Sequence, residues 1–348
     1  MATVEGWNIP EDLITSEILT WLPVKSLRRF QSVCKAWHSE ISNRHFIELH
    51  RERSQPNICK LVGSCTGDIK IERLTEEGDL QQYYMLPWVD DRGLVTSSRH
   101  LIVLSYEYGY LLSNPAMRDI FYIPHDPWDE ADIHLTGFGF VSSLGKYKVV
   151  SIILGSEDIC EVFTVGIDNS WRKGKSPRFR ISASFHMPYL NGNLHMLSSE
   201  CTFFEESKDG DGRALLFNLE EEAWSVMALP DVQKMDSMAF ELREMRGSLC
   251  FICRNPEKRI DLWMLRDYAS NVWSKDFVID VTHLQVINSN WLLFGFPLEV
   301  MTDGRIFLEM EDDHWLYYDP QNGSFQLVGH KGVSNTVYSE NLVPILGF

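Results

Sequence analysis

The residues able to do bond chemistry are scattered along this sequence rather than gathered. Cys250 and Cys253 form a Cys-x-x-Cys, but no second pair lies at zinc spacing, and in a strand the two thiols face opposite ways. Structural zinc takes four ligands, so a metal site is not expected. The eleven histidines stand singly. His186 and His195 are the nearest that could join a tyrosine at copper, and a lone histidine more often serves structure or surface. The sequence holds no Gly-rich phosphate loop, Gly-x-Ser-x-Gly elbow or His-Glu-x-x-His. Asn322-Gly323-Ser324 fits a glycosylation sequon, but turn chemistry accounts for it better. No catalytic residue and no cofactor is therefore expected, which leaves binding as the function class.

Composition narrows the kind of binding. A formal charge of −17 argues against nucleic acid, because phosphate contacts need clustered Lys and Arg. Residues 1–53 hold seven acidic and seven basic side chains, so the negative excess lies downstream and two units of different character follow. Acidic runs gather at Asp126 to Asp132, at Glu220-Glu221-Glu222 and from Glu309 through Asp313. On a binding face such runs favour a basic partner and speed its association. No apolar run approaches the roughly 18 residues of a membrane span. The N-terminus lacks the basic and apolar regions of a signal peptide, and the seven cysteines read as free buried thiols. Cytoplasm or nucleus is the expected location.

Two kinds of element must position whatever binds. Pro10 with Glu11 and Asp12 predicts a helix start, and Ile14, Ile18, Trp21 and Leu22 line one face until Pro23 stops the run. Val24–Phe30 predicts a second helix. Ser32 as N-cap predicts a third, with Val33, Trp37 and Ile41 stacked four apart, and Phe46 with Leu49 predicts one further short turn. Three short helices cannot hide this many apolar residues among themselves, so a partner surface is implied.

The segments Trp7-Asn-Ile-Pro-Glu-Asp-Leu13, Glu17-Ile-Leu19, Leu22-Pro-Val-Lys-Ser-Leu27, Val33-Cys-Lys-Ala-Trp37 and Ile41-Ser42 closely resemble the F-box, above all its plant form, without a gap over residues 7–50. The resemblance implies docking to a Skp-family linker protein, and through it to cullin and RING subunits. Carried over position by position, it assigns Ile9, Pro10, Leu13, Ile18, Leu19, Leu22, Pro23, Leu27, Val33, Cys34 and Trp37 to linker binding. For Leu27 and Val33, packing among the helices explains the residue type equally well. Ile9, at or before the start of the first helix, favours the interface, and stands where the family usually has Leu.

From about residue 58 the helical period gives way to short Val-, Ile-, Leu-, Phe- and Trp-rich runs separated by turn residues. An apolar strand, an Asn or Asp turn and an aromatic strand recur, closing on Phe121, Trp171, Trp224, Trp273 and Phe325, which are 50, 53, 49 and 52 residues apart. Between them, Gly137, Gly192, Gly247 and Gly304 each lead an apolar strand. Two hairpins per period of roughly 50 residues predict four-stranded, kelch-like propeller blades, about six of them, the first completed by a C-terminal strand around Leu342-Val343. Asn114-Pro-Ala-Met-Arg118, Gly137-Phe138-Gly139 with Tyr147-Lys-Val-Val150, and Leu262-Trp263 with Trp273 resemble the F-box-associated domain of plant F-box proteins, although Ile120 takes the slot of the family's aromatic.

The expected architecture is multidomain α plus all-β, with a three-helix F-box over 5–52 and a β-propeller over 53–348. The resemblance implies the non-catalytic substrate-recognition subunit of an SCF ubiquitin ligase, whose propeller holds a target protein for ubiquitination and degradation. A propeller enzyme or lectin, and a scaffold that binds the linker without delivering substrates, are the alternatives.

Overall fold

A computed structural model of the chain describes residues 14–63, 69–75, 79–86, 95–98, 100–106, 109–125, 133–183, 186–199, 213–232, 239–255, 257–282, 284, 296–310, 314–330 and 334–347. The first helical segment, α1, winds widely over Ile14–Ile18 and tightens to a 3-10 turn over Leu19–Trp21. It ends where Pro23 must, since Leu22 is already extended. The onset expected at Pro10 lies outside the described residues. Helix α2 spans Val24–Phe30, as its sequence predicts.

The third helix, α3, spans Lys35–Ile41 and is capped by Cys34 rather than Ser32. Cys34 is the extended residue, and its Sγ accepts from Trp37 N at 3.4 Å. The Ser32 hydroxyl instead donates to Arg29 O at 2.6 Å, because turn bonds carry α2 on through Val33. Helix α4, Arg44–Arg53, runs ten residues where Phe46 and Leu49 predict a single turn. Asn43 caps it through His45 N at 2.9 Å, and Phe46, Ile47 and His50 go inside.

The remainder is a six-bladed propeller of four-stranded antiparallel sheets. Blade 1 holds β1 (Pro56–Gly63), β2 (Ile69–Leu74), β3 (Leu80–Leu86) and, from the far end of the chain, β24 (Ser334–Ser339). Blade 2 is β4 (Val95–Ser98), β5 (Leu101–Tyr106), β6 (Gly109–Asn114) and β7 (Asp119–Pro124), and blade 3 is β8 (Ile133–Val141), β9 (Lys146–Leu154), β10 (Ile159–Thr164) and β11 (Arg172–Lys173). Blade 4 holds β12 (Tyr189–Leu190), β13 (Asn193–Leu197), β14 (Arg213–Asn218) and β15 (Ala223–Ala228). Blade 5 holds β16 (Ala239–Met245), β17 (Ser248–Asn255), β18 (Arg259–Asp267) and β19 (Val272–Asp280), and blade 6 holds β20 (Phe296–Val300), β21 (Ile306–Glu309), β22 (His314–Asp319) and β23 (Ser324–His330).

The ring closes where β24 pairs antiparallel with β1, from Pro56 opposite Ser339 to Leu61 opposite Ser334. The closing strand therefore precedes Leu342-Val343, which leave the sheet and enter the core below. Gly192, Gly247 and Gly304 sit in tight turns with positive φ, whereas Gly137 lies inside β8 and Gly145 takes the turn role in its blade.

Strand residues alternate between the two faces of a blade, and both faces are buried. In β17, Leu249, Phe251 and Cys253 pack toward blade 4, while Cys250 and Ile252 pack toward blade 6. The two thiols of the Cys-x-x-Cys thus point opposite ways, as strand geometry dictates. Five of the interfaces between adjacent blades hold their own apolar cluster. The sixth, between blades 2 and 3, is joined by the helices.

Candidate protein-interaction surface

Leu19, Val24, Leu27, Ile41, Phe46 and Ile47 are buried in one cluster with Tyr110, Leu112, Phe138, Phe140 and Tyr147 of blades 2 and 3 and with Leu342, Val343 and Ile345. The helical unit is thus built onto the propeller. Polar contacts add to the apolar ones. Arg44 Nη2 donates to Ser142 O, the Arg51 guanidinium lies 5.4 Å from the Phe140 ring centroid, and Val24 N donates to Glu340 Oε2 at 2.9 Å. These three contacts fall at the end of the blades that carries the turns between first and second and between third and fourth strands.

Of the residues assigned to linker binding, Ile9, Pro10 and Leu13 lie outside the described residues. Leu19 and Leu27 are closed off by the chain itself, at 2% and 0% exposure. Leu22 is half-buried against the shared cluster, and its carbonyl accepts from His50 Nε2 at 2.9 Å. Trp37 is also half-buried, edge-on to Phe30 at 5.2 Å between ring centroids.

What stays open is Ile18, Pro23, Val33 and Cys34, with Val33 64% exposed. Trp21, an apolar face residue of α1 absent from that assignment, joins them at 58% exposure with Arg53 stacked 5.2 Å from its ring. Its place beside Pro23, on the stripe with Ile14 and Ile18, was signal enough to include it. Four exposed cations, Lys25, Arg28, Arg29 and Lys35, lie in the same stretch of chain as Pro23, Val33 and Cys34, and residues 25–39 contain no carboxylate. None of the four makes an ion pair among the described residues.

His186 and His195, the two histidines weighed for copper, each have a partner of their own. His195 is buried between blades, with Nδ1 3.1 Å from Pro188 O and Nε2 2.8 Å from Tyr268 OH, and burial pushes its pKa down to about 4. His186 meets Glu241 Oε1 at 3.1 Å, the same oxygen that receives Arg243 Nε at 2.5 Å. Among the described residues no group of three or more His, Cys, Asp or Glu could hold a metal ion, and no helix is long and apolar enough to cross a membrane.

Of the acidic runs, Glu222 is used internally, receiving Lys148 Nζ at 2.8 Å and Arg172 Nη2 at 2.8 Å. Asp126 to Asp132 and Glu311 to Asp313 lie outside the described residues. Asn322 holds its own turn, donating to Asp319 Oδ2 and accepting from Ser324 N, both at 2.8 Å.

The Asn-Pro motif has a structural role. Asn114 is fully buried and its Nδ2 lies within hydrogen-bond distance of Asn341 O (3.2 Å), Asn341 Oδ1 (3.1 Å) and Val343 O (3.0 Å), while its Oδ1 accepts from Tyr338 OH at 2.7 Å.

The chain matches the F-box domain over residues 8–49 and the F-box associated beta propeller domain over residues 79–344. It is 23% identical to the Arabidopsis thaliana F-box protein At3g07870 over 94% of this chain and 89% of that one. It is 27% identical to the Arabidopsis F-box protein At4g19940, over 98% and 90%, and 24% identical to the Arabidopsis F-box/kelch-repeat protein At2g43445, over 95% and 82%. Among solved structures, a lectin of Aleuria aurantia is similar at 7% identity with a TM-score of 0.44, over 80% of this chain and 96% of that one.

Proposed function

The chain belongs to the F-box proteins that carry an F-box-associated β-propeller, and on that premise we propose that it is the substrate receptor of an SCF ubiquitin ligase. The helical unit, residues 5–52, docks the Skp-family linker and through it the cullin and RING subunits. The propeller, residues 53–348, holds the target protein. The chain does no bond chemistry itself; holding the target beside the charged ubiquitin carrier raises the effective concentration of the target lysine. It works in the cytoplasm or nucleus.

The observation that carries the reading is that the apolar residues Ile18, Trp21, Pro23, Val33 and Cys34 stay exposed while Leu19, Val24, Leu27, Ile41, Phe46 and Ile47 of the same helical unit are buried. Ile9, Pro10, Leu13 and Trp37 extend this linker-binding set. Leu19, Leu22 and Leu27 act from behind it, fixing the helices that present it.

The target binds at the opposite end of the propeller. There the connections β11 to β12, β13 to β14 and β19 to β20 are 15 residues each, whereas no turn at the helix-bearing end exceeds seven. Long connections on a rigid scaffold are where unrelated propellers differ in specificity. With the N-terminal 53 residues neutral and the whole chain at −17, a basic target surface fits best, and binding that ignores salt would speak against that choice.

Co-expression of the full chain with a Skp-family linker tests the reading. A stoichiometric complex through gel filtration is the expected result. Failure of the folded chain to retain the linker overturns it. A stable linker complex combined with target abundance unchanged on loss of the F-box would instead leave a scaffold.

A further inference from the structure

Residues 340–347, which follow the closing strand, are not needed to close the ring. By Ser339 all four strands of blade 1 are paired, yet the chain continues across the helix-bearing end. Glu340 accepts from Val24 N at 2.9 Å on one carboxylate oxygen and from Tyr83 OH at 2.7 Å on the other. One side chain thus bridges the first residue of α2 and strand β3. That position of α2 has no other cap, since Pro23 offers no side-chain acceptor.

The same segment reaches blades 2 and 3. Asn341 Nδ2 donates to His100 O at 2.7 Å, and Asn114 holds Asn341 and Val343. Leu342, Val343 and Ile345 are buried among Leu19, Val24 and Leu27 of the helices and Phe138 and Phe140 of the blades. Lys146 Nζ donates to Leu346 O at 2.5 Å. Gly347 has φ +76° and approaches Gly145 so closely that an added Cβ would lie 1.8 Å from Gly145 O.

We infer that residues 340–347 are a positioning clasp that sets the orientation of the helical unit on the propeller, with Glu340 the residue that engages both. Ring closure by β24 and docking of α2 are made by one continuous stretch of chain. Of the polar contacts that bypass it, Arg44 with Ser142 and Arg51 with Phe140 both fall on blade 3, so Glu340 adds a tie to blade 1. For its purpose the inference rests on the receptor reading: a fixed orientation fixes where a bound target stands relative to the ligase.

The test is a distance measurement by pulsed electron–electron double resonance on the full chain. Nitroxides sit on the exposed Cys34 and on a cysteine introduced at exposed Val226, with Cys65 and Cys201 replaced by serine. One narrow distance distribution is expected for the parent. Truncation after Ser339 should broaden it about twofold or more as the helices swing, and Glu340→Ala should broaden it in the same direction, with near-UV circular dichroism of the propeller retained. If the truncated chain loses its near-UV signal, Glu340→Ala decides alone. An unchanged width in Glu340→Ala removes Glu340 from the device, and an unchanged width in the folded truncation overturns the clasp. Failure of the unlabelled parent to bind the linker leaves these distances unaffected and counts against the receptor reading only.

Discussion

Val33 and Leu27 lie six residues apart on the F-box, and the structure assigns them opposite tasks. Val33 is 64% exposed and precedes the Cys34 cap, so Val33→Asp disturbs no packing. A carboxylate just outside a helix N-terminus suits the dipole, and the folding free energy should move by no more than about 0.5 kcal/mol. In the linker complex the same change loses about 1 kcal/mol of apolar burial and sets an unpaired charge against an apolar surface at about 2 kcal/mol more. The sum of about 3 kcal/mol corresponds to a roughly hundredfold weaker Kd. Leu27, fully buried in the cluster shared with the blades, should behave in reverse. Leu27→Ala costs about 2–5 kcal/mol of stability and changes linker affinity only through the loss of folded chain. Isothermal titration with purified Skp-family linker, paired with thermal melts, reads both quantities. Val33→Asp binding within about twofold of the parent at an unchanged melting temperature, where a hot-spot residue should lose far more, would refute the assignment of this surface.

Asn114→Ala strips a buried hub of its partners Asn341, Val343 and Tyr338 and should destabilise the chain by about 2–4 kcal/mol in denaturant titration. Gly139→Ala would set its Cβ 2.2 Å from the Tyr189 ring, a clash between blades 3 and 4, so a clear drop in melting temperature is expected, whereas an unchanged melt would mean the ring moves freely. Glu222 is held at about 2 by hydrogen bonds from Arg172 and then Lys148, below its ordinary 4.5. Its stabilisation is complete above about pH 4.5 and is lost as pH falls toward 2, so Glu222→Gln should flatten the acid limb of stability against pH over that window. Burial depresses His195 from 6.5 to about 4, so its contribution is complete above pH 6.5 and is lost between there and pH 4. His195→Gln should remove that component, and an unchanged slope in that range would place the titration elsewhere.

The blades were legible because their period is written in residues that packing demands. Trp224 lies beside Phe217 at 5.0 Å between centroids, and Phe325 beside Tyr318 at the same separation, so the recurring aromatics lie in or next to the fourth strand of blades 2 to 6. Helix α2 was legible to the residue, because Pro23 fixes its start and Val24 and Leu27 its inner face. The α3 cap was not. Ser outranks Cys as a cap by type, and only the backbone shows that Ser32 is still bound to α2. The closing strand misled for a related reason. Leu342-Val343 is an apolar pair near the C-terminus, but its burial is among helices, whereas β24, Ser-Asn-Thr-Val-Tyr-Ser, is mostly polar. Asn114 could be seen as a motif and not as a clamp, since its partners lie more than 220 residues away.

The apolar excess of the first fifty residues is therefore a weaker argument for an outside partner than composition alone makes it. Leu19, Val24, Leu27, Ile41, Phe46 and Ile47 are covered without leaving the chain, because the propeller supplies Phe138 and Phe140 and the C-terminal segment supplies Leu342, Val343 and Ile345. The stronger argument is directional. Along α2, Val24 and Leu27 turn inward while Lys25, Arg28 and Arg29 turn out, and beyond it Val33 and Cys34 are exposed beside those cations instead of being drawn into the shared core. Folding alone gives no reason to leave Val33 and Cys34 in water when Val24 and Leu27 of the preceding helix reach a buried cluster. An isolated fragment of residues 1–53 would lack its inner cover. Its failure to fold would then report on the propeller, and only substitutions on the outer face, made in the full chain, report on the linker.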